Sequence, residues 1–183
     1  MMMKTKIKMK MKITETKRRV SLALLLASLI GCQSAPQPLP EPAPPPRDWV
    51  GEIRERAASV PSYVEVLPLN DPGVADLRAL AHSAEAARHF SEAEKHLALA
   101  LTLVPDDPEL WQWRAEVALA EKRWQDAQAH ALRSESLGPK LGRICVRNWM
   151  TMRAVAAETA NAGAEAEATT KAEACPVRAP VRL

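Results

Sequence analysis

An all-α protein made of helical hairpins is what this sequence predicts, and three observations carry the prediction. Residues Val74–Asp107 and Pro108–Leu141 align without a gap at an offset of 34 positions, and a period of that length is the signature of a stacked supersecondary unit. Small residues recur at matched places in the two segments, Ala81/Ala115, Ala84/Ala118 and Ala93/Ala127, and so do bulky ones, Leu77/Trp111 and Phe90/Trp124. Each segment then closes on a proline, Pro105 and Pro139, which removes a backbone donor and stops a helix.

The elements are taken in chain order. The first 31 residues hold eight of the 25 Lys/Arg (Lys4, Lys6, Lys8, Lys10, Lys12, Lys17, Arg18, Arg19) and one of the 22 Asp/Glu, Glu15. The formal net charge of +3 therefore belongs to this leader, and the remainder is net acidic. A nucleic-acid partner loses its support, because no basic stripe with interleaved aromatics follows. After the basic stretch, Val20 to Ile30 is apolar. It is too short to span a bilayer, which takes roughly 20 residues, and has the length of a signal-peptide core.

That core runs into Leu29-Ile30-Gly31-Cys32, which resembles the bacterial lipobox. The resemblance implies diacylation of the Cys32 thiol, cleavage after Gly31 and acylation of the new amino terminus. Several acyl chains anchor stably where one is marginal. Gln33, rather than Asp, follows Cys32; by the same resemblance this points to the outer membrane. The leader also contains Met1, Met2, Met3, Met9 and Met11, so the true start is open among them.

Residues 36–46 include seven prolines, Pro36, Pro38, Pro40, Pro42, Pro44, Pro45 and Pro46. Such a run favours polyproline II. At about 3.1 Å per residue, the stretch from Gln33 to Arg47 makes a semi-rigid spacer reaching roughly 45 Å. The domain division expected is thus 1–31 leader, 32–70 lipidated cysteine, tether and an extended arm, 71–175 helical-repeat domain, and 176–183 tail. Within the arm, Trp49 to Ser59 has helical potential, but Tyr63-Val64-Glu65-Val66-Leu67 alternates between Pro61 and Pro68, and an arm lying against the helices is expected.

Within the repeats, Asp107-Pro108 reads as an N-cap with proline at the first helical position, and Ser91-x-x-Glu94 as a capping box. Leu77, Leu80, Phe90, Trp111 and Trp124 are expected to fill grooves beside the alanines. The joint pattern, a 34-residue period with small residues at positions 8 and 20, an aromatic at 17 and proline at 32, resembles the tetratricopeptide repeat (TPR). Arg114 stands where a leucine is usual, and Arg88 and Lys122 where glycine separates the helices. A third unit is hinted at by Ile144, Trp149, Met152 and Val155, with Gly163 after them, as a degenerate third hairpin or a capping helix. Cys145 and Cys175 are too far apart in sequence for a CxxC pair; a disulfide and two free thiols both remain open.

For chemistry, the chain lacks a Gly-rich phosphate loop, HExxH and GxSxG. His82, His89 and His96 recur every seven residues but fall on different elements of the hairpin, and no metal or other cofactor is expected. No enzyme is expected either. What the TPR resemblance implies instead is a protein-binding concave face lined by the first helix of each repeat. Carried onto this chain, it offers Arg78, His82 and Glu85, then Gln112, Glu116 and Leu119, with Ala75, Ala86, Glu109 and Ala120 beside them. Trp113 and Trp49 fill no repeat position; interface anchoring and packing of the arm explain them equally well.

Lipobox, proline-rich spacer and short TPR domain together resemble small outer-membrane TPR lipoproteins. One branch of these, LpoP-like, activates class A penicillin-binding proteins. The resemblance implies a periplasm-facing module that reaches a peptidoglycan synthase. The alternative is an adaptor that scaffolds an outer-membrane secretion or pilus assembly.

Overall fold

The computed structural model describes residues 46–61 and 71–176. The leader, Cys32, most of the proline-rich tether, the alternating stretch 63–67 and the end of the tail lie outside the described residues. Among the described residues the structure is helical throughout: α1 (Trp49–Ala58), α2 (Pro72–Ala86), α3 (Phe90–Leu103), α4 (Pro108–Ala120), α5 (Trp124–Leu137), α6 (Gly142–Glu158) and α7 (Ala162–Ala174).

Helices α2–α7 pair as three consecutive hairpins, α2 with α3, α4 with α5 and α6 with α7, and each hairpin stacks on the next. The starts follow from side chains that satisfy orphan backbone donors. Asp71 accepts from the Gly73 amide at 2.8 Å, and Asp107 accepts from Glu109 and Leu110 at 2.8 and 3.2 Å. Pro72 and Pro108 take the first helical position. The capping box expected at Ser91 does not form. The cap of α3 falls two residues earlier, at His89, so the helix begins at Phe90 with no side-chain cap bond. Ser91 instead donates to Glu121, and Glu94 is drawn across to Arg114 of α4.

The turns inside the three hairpins share one geometry. Arg88, Lys122 and Ala160 have φ of 60°, 59° and 54°. The next residue in each case donates back five positions, His89 to Ala84, Arg123 to Ala118 and Asn161 to Ala156, at 2.8 to 2.9 Å. This is the Schellman ending of a helix, built here without the glycine that suits it. Its third occurrence identifies α6–α7 as a true hairpin rather than a lone capping helix.

Close packing rests on the alanines. Ala81, Ala93, Ala115, Ala118 and Ala127 are all fully buried, so the backbones approach with no side chain between them. Phe90, Trp111 and Trp124 are half-buried beside them, but Leu80, also expected to fill a groove, is half exposed. Where Ala100 stands in the first repeat the second has Ser134, buried and donating to the Pro108 carbonyl at 2.7 Å. Gly138 leaves room for that junction, since a Cβ there would meet Pro108 Cβ at 3.2 Å. Cys145 and Cys175 form a disulfide, which ties the first turn of α6 to the end of α7, and Gly142 donates to the Cys175 carbonyl at 2.7 Å beside it.

The expected extended arm is corrected over its first part. Residues 49–58 are a helix, capped by Asp48, which accepts from Gly51 at 2.9 Å. Trp49, Ile53 and Ala57 recur every four residues and, with Val60, give it one continuous apolar face; all four are buried. That face packs on α6 and on the end of α4.

Candidate functional site

The first helices of the three hairpins, α2, α4 and α6, present the face on which a partner was expected. Its first part is open. His82 is exposed and stands edge-on to the Trp113 ring, with centroids 6.4 Å apart. Arg78 reaches Asp107 at 2.6 Å and keeps a third of its side chain in solvent. Glu85 is more enclosed, accepting from Trp113 Nε1 at 2.6 Å and pairing with Arg54 at 2.8 Å. Ala75, Ala86 and Glu109 are exposed here too.

The remainder of that face is covered. Gln112 and Glu116 are 0% exposed and Leu119 3%, which corrects their assignment as partner-contacting residues. Gln112 is enclosed against Thr151 of α6, and for Glu116 and Leu119 the physical reason is α1. Leu119 lies in one apolar cluster with Trp49, Ile53 and Ala57 of α1, with Val60 just after it, and with Val146, Met150 and Ala154 of α6. Arg54 of α1 bridges α4 and α2, donating to Glu116 Oε2 at 2.7 Å while pairing with Glu85. The groove left along α4 and α6 by the repeat architecture is therefore filled by a helix of the same chain.

Beneath α1 lies a polar network. Glu116 receives Arg54 on one carboxylate oxygen and Arg147 on the other, the latter at 2.7 Å. Gln112 donates through Nε2 to Glu116 and to Thr151 of α6, at 3.0 and 2.8 Å. Arg147 also reaches Glu109. Burial opposes the Glu116 charge, but Arg147, Arg54 and the Gln112 amide outweigh it and hold the carboxyl below its usual range. Burial likewise opposes the Arg147 charge, and Glu116 and Glu109 reverse that and raise its pKa. Both groups are thereby held in their charged forms.

Trp49 takes the packing role of its two readings. It is 6% exposed, its indole N–H donates to Glu158 at 2.7 Å, and the Arg47 guanidinium lies 3.6 Å from its ring centroid. Sequence reasoning missed Arg54 altogether. The available signal was the four-residue spacing of Trp49, Ile53 and Ala57 after Asp48, with Arg54 one step off that stripe. Between α1, α6 and α7 a shallow cleft of about 430 Å³ is lined by charged groups including Glu52, Arg56, Arg153 and Glu173. Among the described residues no three His, Cys, Asp or Glu stand together as a metal site.

Residues 74–117 match the tetratricopeptide repeat family, and the chain contains TPR hairpins. The match covers the first repeat and the opening helix of the second. That repeat is typically a non-catalytic scaffold for binding other proteins. No curated protein matches the chain.

Proposed function

We propose that this chain is a lipid-anchored docking module, held through Cys32 in the outer membrane and facing the periplasm, and that it is not an enzyme. The observation carrying the docking role is the stack of three helical hairpins, in which rigid helices present side chains without a reactive constellation. The Cys145–Cys175 disulfide supports export, because such bonds persist in oxidising compartments and are rare in the cytosol. The leader and the lipobox-like Leu29–Cys32 stretch support lipidation.

The partner proposed is a class A penicillin-binding protein. The support is architectural: an anchor, a spacer of roughly 45 Å and a TPR domain make a device for reaching across a compartment. The open part of the first-helix face, with Arg78, Ala86 and His82 beside the Trp113 ring, is where contact is proposed. Pull-down from envelope extracts should enrich the synthase, and the purified module should raise its glycosyltransferase rate. Deletion of residues 36–46 should abolish activation in cells. Copurification with an outer-membrane channel, with the deletion tolerated, would replace this partner by a secretion or pilus assembly. Substitution of Cys32 by Ala should release the protein from the membrane fraction, and retention there would reject the anchor.

A further inference from the structure

We infer that the groove along α4 and α6 is a binding site for an amphipathic helix bearing an arginine, and that α1 is its occupant in cis. The inference rests on the docking role and says what chemistry the covered part of the docking face selects.

Four observations carry it. Helix α1 lies outside the 34-residue period, so the hairpins do not need it to complete their own pairing. It occupies the face that repeat architecture leaves unfilled, and packs on Glu116 and Leu119 there. Its contacts have the form of a ligand in a groove. Trp49, Ile53 and Ala57 supply apolar anchors at i, i+4 and i+8, the pattern of a helix laid into a cleft, and Arg54 answers an acidic pair, Glu85 and Glu116, from the far wall. Finally, α1 is ten residues long, and an isolated helix of that length is marginal in water. It therefore becomes helical against the groove, as a peptide ligand does on binding.

Removal of α1 would uncover Leu119, Val146 and Met150, and would leave Glu85 and Glu116 without Arg54. A foreign helix with a large apolar residue, an aliphatic one four residues later and an arginine directly after that meets the same wall. A helix tethered in cis acts at an effective concentration on the order of millimolar. An outside helix therefore binds with an apparent affinity lowered by the fraction of molecules whose groove is vacant.

The test uses the full chain and, as probe, a fluorescein-labelled peptide of residues 46–61. Two variants weaken α1 in place, Ile53→Asp through its apolar anchor and Arg54→Ala through its ion pairs. The Ile53→Asp chain should bind the peptide at least tenfold more tightly than the wild type, and Arg54→Ala should fall between them. A peptide carrying Arg54→Ala should bind the Ile53→Asp chain at least tenfold more weakly than the unaltered peptide. Equal affinity of wild type and variants, or no binding by a variant that keeps the circular dichroism of its six other helices, overturns the inference. So does loss of all helical signal in both variants, which makes α1 an integral part of the core. Neither a membrane nor a synthase takes part, so this result and that of the synthase assay fail separately.

Discussion

Arg147 and Glu116 meet at 2.7 Å with the carboxylate wholly out of solvent, and Arg54 approaches the same carboxylate from α1 at the same distance. One buried anion thus ties together three helices that are remote in sequence. Breaking such a pair by removing one partner is expensive, because the remaining charge stays desolvated. Replacement of Glu116 by Gln should lower the unfolding free energy by about 3–5 kcal/mol. The exposed pair of Arg133 and Asp106 is the control, and Arg133→Ala should cost about 0–1 kcal/mol. Urea denaturation of both variants checks the contrast; equal midpoints would deny the network its role.

Acid should destabilise the protein in two stages. His130 is held below its ordinary 6.5 by burial first and by the Arg114 charge second, so the unfolded chain binds that proton more readily. Its contribution is complete above about pH 6.5 and is lost as pH falls below that. Glu116, held below its ordinary 4.5, adds a contribution present above that value and lost as pH falls through its folded pKa. Thermal midpoints recorded from pH 8 to 3 should fall continuously from about pH 6.5 downward. Replacement of His130 by Gln should flatten the upper part of that fall and leave the lower part in place.

The second-helix starts and the hairpin turns show how far local sequence reaches. Ala81, Ala93, Ala115 and Ala127 were legible as packing positions because helix proximity excludes larger side chains wherever the period repeats. The third hairpin was legible only in part. Its turn residue Ala160 comes 38 positions after Lys122, whereas Lys122 follows Arg88 by 34, so the longer α6 breaks the period that reveals the other two. The fate of Gln112, Glu116 and Leu119 was not legible at all. Gln112 is enclosed by α6 through Thr151, and Glu116 and Leu119 by a helix 62 residues from Glu116 at its Arg54 contact; spacing within a repeat carries no information about such partners. His82 is exposed, and Arg78 keeps a third of its side chain in solvent beside Asp107.

The left-handed turn residues predict a gain in stability. A side chain in that conformation costs about 1–2 kcal/mol relative to glycine, offset by the greater freedom glycine has when unfolded. Arg88 recovers part of this through its guanidinium, 5.6 Å from the Phe90 ring centroid. Ala160 has no such side chain. Ala160→Gly should therefore stabilise by about 0.5–1 kcal/mol, with Arg88→Gly closer to neutral. Differential scanning calorimetry reads both, and a lower midpoint for Ala160→Gly would count against the strain.

Reduction of the disulfide gives the last prediction. Cys145 and Cys175 are 30 residues apart in sequence, and closing a loop of that size in the unfolded chain corresponds to about 3–4 kcal/mol on the chain-entropy account. The bond joins the free ends of the α6–α7 hairpin, and α6 is the helix on which α7 mainly packs. It is thus the terminal hairpin, and α1 resting on α6, that lose support when the bond is absent. The double variant Cys145→Ser/Cys175→Ser should unfold about 3–4 kcal/mol more readily. Amide exchange should accelerate first in α7 and α1, while α2 and α3, in a separate apolar cluster, keep their protection. Uniform acceleration across all seven helices would show instead that the bond acts on global unfolding and not through the hairpin it closes.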